Sequence, residues 1–282
     1  MLVFPHAKIN LGLHVLGKRP DGYHDIASIL FPIPLCDALE AVIDPAVPAG
    51  EVKFTRTGLP IAGQPEDDLC MKAVVALRKD HPLPGLRLHL HKAVPMGAGL
   101  GGGSSDGTHT LLLLDKLLKL GLPQERVHAL ASGLGSDCPF FLNPRPQLAE
   151  GRGERLTPIT VDLHGHWLVL VAPGIHVPTA EVYRGMRLRD GHQDLLSVIA
   201  RPVKEWQDRL VNDMEEYVFA KHPAIGATKE KLLAHGAGYA AMSGSGSSVF
   251  GLFDHAPTKL EFPEGYTSWV FPVPGGSTAS GS

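Results

Sequence analysis

Residues 94–110, VPMGAGLGGGSSDGTHT, hold six glycines between two segments of opposite period. Before them, LRLHLHKAV alternates apolar and polar side chains as a strand does. From the end of the stretch onward, SDGTHTLLLLDKLLKLG reads as a buried helix ending at Gly121. Glycine costs more backbone entropy to order than any other residue, so such density between ordered elements marks a built turn rather than a linker. Three known glycine loops fit poorly. Gly97, Gly99 and Gly102 satisfy G-x-G-x-x-G, but a second helix, PQERVHALASGLG, follows where a dinucleotide fold needs a strand. A P-loop ends in Gly-Lys-Ser/Thr, whereas Gly103-Ser104 stands here. The H-R-D and D-F-G motifs of protein kinases are missing. Two readings remain from the stretch itself: a close strand–helix turn without a ligand, or a phosphate cradle. In the second, backbone N–H groups converge on an anion, Ser104 and Ser105 add hydroxyl donors, and the helix dipole favours negative charge.

Elsewhere the chain mixes strands and helices without a regular alternation, which predicts an α+β fold. AKINLGLHV alternates, with Ala7, Ile9, Leu11 and Leu13 on one face and Lys8, Asn10, Gly12 and His14 on the other, as a half-buried strand. Pro20-Asp21-Gly22 reads as a turn, and HDIASILFPIPL as a second strand ended by its prolines. LEAVID, EVKFTRTG and HWLVLVAPG are further strands, and EDDLCMKAVVALRKD is a helix. RPQLAEGRGERLTPI is a hairpin, and SDCPFFLN a loop or short apolar segment. Residues 194–223 and IGATKEKLLAHG are mostly helical, and GYAAMSGSGSSVFGLFD holds two strands around a glycine-serine turn. A boundary falls near 157–165, giving domains 1–160 and 161–275, with 276–282 a disordered low-complexity tail.

Composition narrows the function classes. The 282 residues are 44% hydrophobic, and the net charge of −3 offers no basic field for nucleic acid or an anionic membrane. Cys36, Cys70 and Cys138 are too few and scattered for a disulfide framework, so reduced thiols in a cytoplasmic protein are expected. The first twenty residues lack the features of a signal peptide, and no apolar run reaches the roughly 18 residues of a membrane span. His89 with His91, and His164 with His166, are pairs without a third ligand and read as solvated strand histidines.

PMGAGLGGGSSD resembles the central motif of the GHMP kinases, small-molecule kinases with a glycine loop unlike the P-loop. AKINLGLHVLGKRPDGYHDI and AAMSGSGSSVFGLF resemble the first and third motifs of one branch, and EGRGERLTPI, GSDCPFF and NDMEEYVFAKHPAI follow in its order. The resemblance runs from about Phe4 to Phe253. It implies two α+β lobes, the first like domain 2 of ribosomal protein S5 and the second ferredoxin-like. It implies ATP, with Mg2+, over Pro95, Met96, Gly97, Ala98, Gly99, Leu100, Gly101, Gly102, Gly103, Ser104 and Ser105. The acceptor it implies is a small molecule, a diphosphocytidyl methylerythritol phosphorylated on its C2 hydroxyl in the non-mevalonate isoprenoid route.

The same resemblance implies Asp137 as catalytic base and Lys8 as catalytic cation, the chemistry phosphoryl transfer needs: positioning, charge stabilisation and a proton acceptor. Asn10 belongs to the substrate site, Tyr23 and His24 match the cytidine site, and Tyr183 matches an aromatic closing the other side of the base. Singly, each of these residues is as well explained by an ordinary strand or loop; it is their order that speaks for a site. No magnesium ligand is identifiable. Three positions depart from the family: Asp68 where asparagine is frequent, Leu30 where an aromatic often walls the substrate pocket, and Ala180 where some members carry proline.

Overall fold

The structure is a computed structural model of the chain, described over residues 1–61, 63–258 and 260–273. The expected tail at 276–282 lies outside the described residues. Helix and sheet mix as expected for α+β, in two compact units built from interleaved segments. One comprises Met1–Lys8, Pro32–Met96 and Gly101–Pro144; the other comprises Ile9–Phe31, Gly97–Leu100 and the chain from Arg145 onward. The contacts therefore do not follow a single cut near residue 160, because the long strands His6–Lys18 and His24–Cys36 each contribute residues to both units.

The first unit holds a four-stranded sheet in the order Leu2–Val3, Ala38–Ile43, Leu86–Lys92, Val52–Gly58. Val52–Gly58 runs parallel to Leu86–Lys92, and a parallel pair needs a long crossover. Helix Leu69–Arg78 supplies it, capped by Asp68, whose carboxylate accepts from Cys70 N at 3.0 Å. Leu86, Leu88 and Leu90 turn inward from the sheet against Cys70, Val74 and Leu77, and against Leu111, Leu113 and Leu114 of helix Gly102–Leu118. That helix starts earlier than the sequence suggests and ends before Gly121, at Lys119, which adopts the left-handed conformation itself. Helix Gln124–Leu134 and the 3-10 turn Cys138–Leu142 complete the unit.

The second unit carries a sheet in the order Tyr239–Met242, Val249–Phe253, Trp167–Ala172, Thr267–Pro272, backed by helix Pro223–Ala234. In the remaining sheet, His6–Lys18 and His24–Cys36 lead to the hairpin of Gln147–Gly151 and Arg155–Pro158. Strand His24–Cys36 runs on through Pro32 and Pro34, which follow Leu30, the last residue paired to the hairpin, so their missing N–H groups break no bond there. Strand His6–Lys18 is buried on both faces from Ala7 to Val15, not on one. Its polar face is covered within this unit by Leu195 and Leu210 over Gly12, and by His192 stacked on His14 at 4.3 Å.

Residues 194–223 form only short helices, Leu195–Ile199 and Glu215–Lys221, with a 3-10 turn at Val203–Glu205. The intervening backbone bonds to the long strand: Leu13 N donates to Val211 O, and Asp213 N to Leu13 O. Helix Thr179–Gly185 and strand Thr267–Pro272 have no clear sequence signal. No helix among the described residues is long and apolar enough to cross a membrane.

Candidate active site

Residue spacing on one strand leads to the site. In Leu86–Lys92 the inward positions are Leu86, Leu88, Leu90 and then Lys92, so a lysine occupies a core position at the mouth of the glycine stretch. Its side chain is fully buried. Nζ lies 2.5 Å from Asp37 Oδ2 and 2.6 Å from Asp106 Oδ2, both carboxylates also buried. Asp37 Oδ1 in turn accepts from Ala93 N at 2.6 Å and Val94 N at 2.8 Å. One carboxylate thus fixes the backbone leading into the glycine stretch, while the other stands in the second turn of helix Gly102–Leu118. Burial opposes the Lys92 charge, but Asp106 and Asp37 outweigh it and hold the ammonium above the ordinary lysine range. Two carboxylates share one cation, and burial pushes the Asp106 carboxyl up to about 8. Its Oδ1 is buried without a hydrogen-bond partner among the described residues.

The glycine stretch is held from each unit separately. In the second, Ser243 Oγ donates to Gly99 O at 2.8 Å, and Ser248 N to Ala98 O at 3.1 Å. Gly99 has φ +78°, and a side-chain carbon there would lie 1.9 Å from Ser243 O, so no other residue fits. The turn carrying Ser243 is itself anchored by Asn212, whose amide donates to Met242 O and Gly244 O. In the first unit, Gly101 at φ +68° caps helix Gly102–Leu118, and its missing Cβ makes room for Phe141 and the Lys8 stem. The N–H groups of a helix's first turn have no intrahelical acceptor, which makes 102–104 a natural anion site. Met96 and Gly97 are exposed, whereas Ala98 and Leu100 point inward.

Ser105 corrects the sequence reading. It is fully buried, its N–H donates to Gly101 O, and its hydroxyl lies 3.3 Å from His109 Nδ1, so neither donor is presented to a ligand. Ser104 is half-buried and its hydroxyl bonds the Cys138 thiol.

Lys8 and Asp137 do come together, within the first unit. Lys8 Nζ is 3.7 Å from Asp137 Oδ2; the lysine side chain is 6% exposed and the aspartate 38%. An acid with an open side beside a nearly enclosed cation is the asymmetry a proton acceptor needs. Burial lowers the Lys8 pKa and the Asp137 charge works against that shift. Asp137 precedes the 3-10 turn Cys138–Leu142, and Thr108 Oγ1 donates to Cys138 O at 2.9 Å, so the glycine helix holds this turn. Cys138 is not a reactive thiol: it is buried, and burial pushes it up to about 11.

The residues expected at a nucleobase lie in the second unit. His24 and Tyr183 stack at 4.7 Å with 18° between their planes. Burial, with the nearby Lys18 charge, lowers the His24 pKa, leaving a neutral ring at pH 7. Tyr23 is not part of that stack; it is 58% exposed, with the Arg152 guanidinium 4.9 Å over its ring. Asn10 is buried and donates to Ser28 Oγ at 2.8 Å, while its own N–H reaches Ser243 Oγ at 3.3 Å. Gly12 keeps no face open, because leucines fill the space beside it. Among the departures, Asp68 is the helix cap described above, Leu30 is a buried core residue, and Ala180 accepts from Arg184 through its carbonyl.

Sequence reasoning missed the Asp37–Lys92–Asp106 cluster, although the inward register of Lys92 signals it. Among the described residues no group of three or more His, Cys, Asp or Glu is arranged to hold a metal ion.

Residues 68–143 match the GHMP kinases N terminal domain, and residues 196–261 the GHMP kinases C terminal domain. A 4-diphosphocytidyl-2-C-methyl-D-erythritol kinase of Azobacteroides pseudotrichonymphae is 48% identical over 254 residues, covering 90% of this chain and 93% of the relative. The enzyme of the same name from Parabacteroides distasonis is 46% identical, over 93% of this chain and 94% of its own. A crystal structure of 4-(cytidine 5'-diphospho)-2C-methyl-D-erythritol kinase superposes with a TM-score of 0.77 at 33% identity, covering 91% of each chain. Mevalonate kinase of Methanococcus jannaschii, at TM-score 0.66 and 13% identity over 90% of each chain, shares the fold.

Removing one member of the buried cluster leaves uncompensated charge. Lys92→Met is expected to cost about 3–5 kcal/mol of unfolding free energy in urea. A carboxyl whose folded pKa is raised binds its proton more tightly folded than unfolded, so its contribution to stability falls as pH rises between the unfolded and folded values. Urea unfolding from pH 5 to 8 is expected to show this decline in the parent protein and its loss in Asp106→Asn; parallel profiles would show that Asp106 does not titrate there.

Proposed function

The chain belongs to the 4-diphosphocytidyl-2-C-methyl-D-erythritol kinases of the GHMP family, and from that premise we propose how its residues perform the ATP-dependent phosphorylation of that alcohol's 2-hydroxyl. The observation that carries the mechanism is the Lys8–Asp137 pair, one partner enclosed and the other open. Asp137 accepts the proton of the attacking hydroxyl as the oxygen bonds to the γ-phosphorus and the bond to the β-bridging oxygen breaks, releasing ADP. Lys8 places a positive charge beside the Asp137 carboxylate and orients the alcohol.

The phosphates of ATP lie along Pro95–Ser104, taken by backbone N–H groups that the glycines leave accessible and by the N-terminus of helix Gly102–Leu118. Ser105 takes no direct part and supports the turn from inside the helix. Mg2+ enters with the nucleotide, where it neutralises phosphate charge, so the nucleotide substrate is Mg2+–ATP. Tyr23, His24 and Tyr183 take the cytidine end of the acceptor. The neutral His24 ring offers one donor and one acceptor to the polar edge of the base, and the two tyrosines offer flat faces. Asn10 acts one step back, through Ser28 and Ser243. The cytoplasm is the compartment that suits the free thiols Cys36, Cys70 and Cys138 and the supply of ATP.

Initial rates with ATP and a set of alcohols test this reading. The diphosphocytidyl alcohol is expected to be preferred over mevalonate and homoserine. Asp137→Asn is expected to lower kcat by roughly 10²–10⁴-fold, the range a positioned general base supplies. Undiminished kcat in Asp137→Asn removes the aspartate as base, and a preference for an alcohol lacking cytidine removes the proposed acceptor.

A further inference from the structure

The sequence pattern assigns no role to Arg152, the central residue of the Gly-Arg-Gly turn. The structure places its guanidinium 4.9 Å from the centroid of the Tyr23 ring. Both ends of this contact are built. Ile26 pairs with Gly151, so the tip of the hairpin stands beside the start of strand His24–Cys36. Gly151 has φ +69°, Arg152 N donates to Glu154 Oε2 at 2.6 Å, and Gly153 N to Glu150 O, which fixes the tip. On the other side, Arg19 N donates to Tyr23 O and Tyr23 N to Asp21 Oδ1, which fixes the tyrosine backbone. The Arg19 guanidinium is engaged by Asp21 and Asp25. Arg152 is the cation placed on the ring.

We propose that Arg152 is a positioning residue for the acceptor, holding Tyr23 by one face so that the opposite face receives the cytosine ring. The inference rests on the cytidine reading of Tyr23, His24 and Tyr183. An exposed tyrosine has two equivalent faces and a free χ1 rotation, and both dilute productive stacking. A guanidinium over one face covers it with a flat cation attracted to the ring quadrupole. The ring then presents a single open face in a fixed orientation, and less side-chain entropy is lost when the base arrives. Arg152 acts through the ring, so its contribution depends on Tyr23.

Calorimetric titration with CDP measures this without turnover. Arg152→Ala is expected to weaken CDP binding by about 2–5-fold, the size of an exposed cation–π contact, with Arg152→Lys in between. In turnover the same variant is expected to raise KM for the acceptor by a similar factor, with kcat and the KM for ATP unchanged. In a Tyr23→Ala background, Arg152→Ala is expected to have no further effect. Unaltered CDP binding in Arg152→Ala overturns the inference. So does an undiminished Arg152→Ala effect in the Tyr23→Ala background, which is the behaviour of an arginine that contacts the diphosphate directly. If the parent protein itself fails to bind CDP, the cytidine reading falls and this inference with it; if it binds and Arg152→Ala binds equally, only this inference falls.

Discussion

Lys92 sits where the pattern of its strand calls for a leucine, and the geometry of the glycine stretch depends on how that charge is neutralised. An ammonium taken out of water costs several kcal/mol unless it is closely paired. Asp37 and Asp106 do the pairing, and each is also a fixed point of the surrounding backbone. Asp37 binds the two N–H groups that follow the strand, and Asp106 belongs to the helix that begins at Gly102. Strand end and helix start are therefore held by one buried charge cluster, and the glycines between them take a defined path. Burial raises the Asp106 pKa, so the cluster disfavours a second enclosed negative charge beside the loop proposed to receive phosphates.

The same helix serves the chemistry. Thr108 holds the turn after Asp137, and Gly101 leaves room for the stem of Lys8. The start of helix Gly102–Leu118 and the Lys8–Asp137 pair thus belong to one unit, which suits a reaction whose catalysis is mainly positioning and charge stabilisation. Lys92 is spent on architecture, and Lys8 stands beside the proposed base Asp137.

The fold was legible where periodicity was clean. Leu86–Lys92, the turn at Pro20–Gly22 and the two strands flanking the glycine-serine turn read directly from alternation and turn chemistry. Residues 194–223 misled because their helical pattern is interrupted by backbone bonds to Leu13, a tertiary competitor that no local propensity records. Strand His6–Lys18 read as half-buried because its second face is covered by groups distant in sequence, His192 and Leu210 among them. In the site, Lys8, Asp137, His24 and Tyr183 were named from motif order, and the structure pairs them two by two. Ser105 was misjudged, since a hydroxyl does not announce which way it faces. Asp37 and Asp106 lie far apart along the chain, and the inward register of Lys92 was the sequence signal that such partners had to exist.

The central claim is that this site moves a phosphoryl group from ATP to one hydroxyl of a cytidine-bearing alcohol. Phosphorus NMR of the product formed from ATP and 4-diphosphocytidyl-2-C-methyl-D-erythritol tests it most directly. A single new monophosphate resonance, assigned to the ester at the tertiary C2 hydroxyl, together with one equivalent of ADP, is the predicted outcome. Phosphate on any other hydroxyl, or release of inorganic phosphate with the alcohol unchanged, would contradict it.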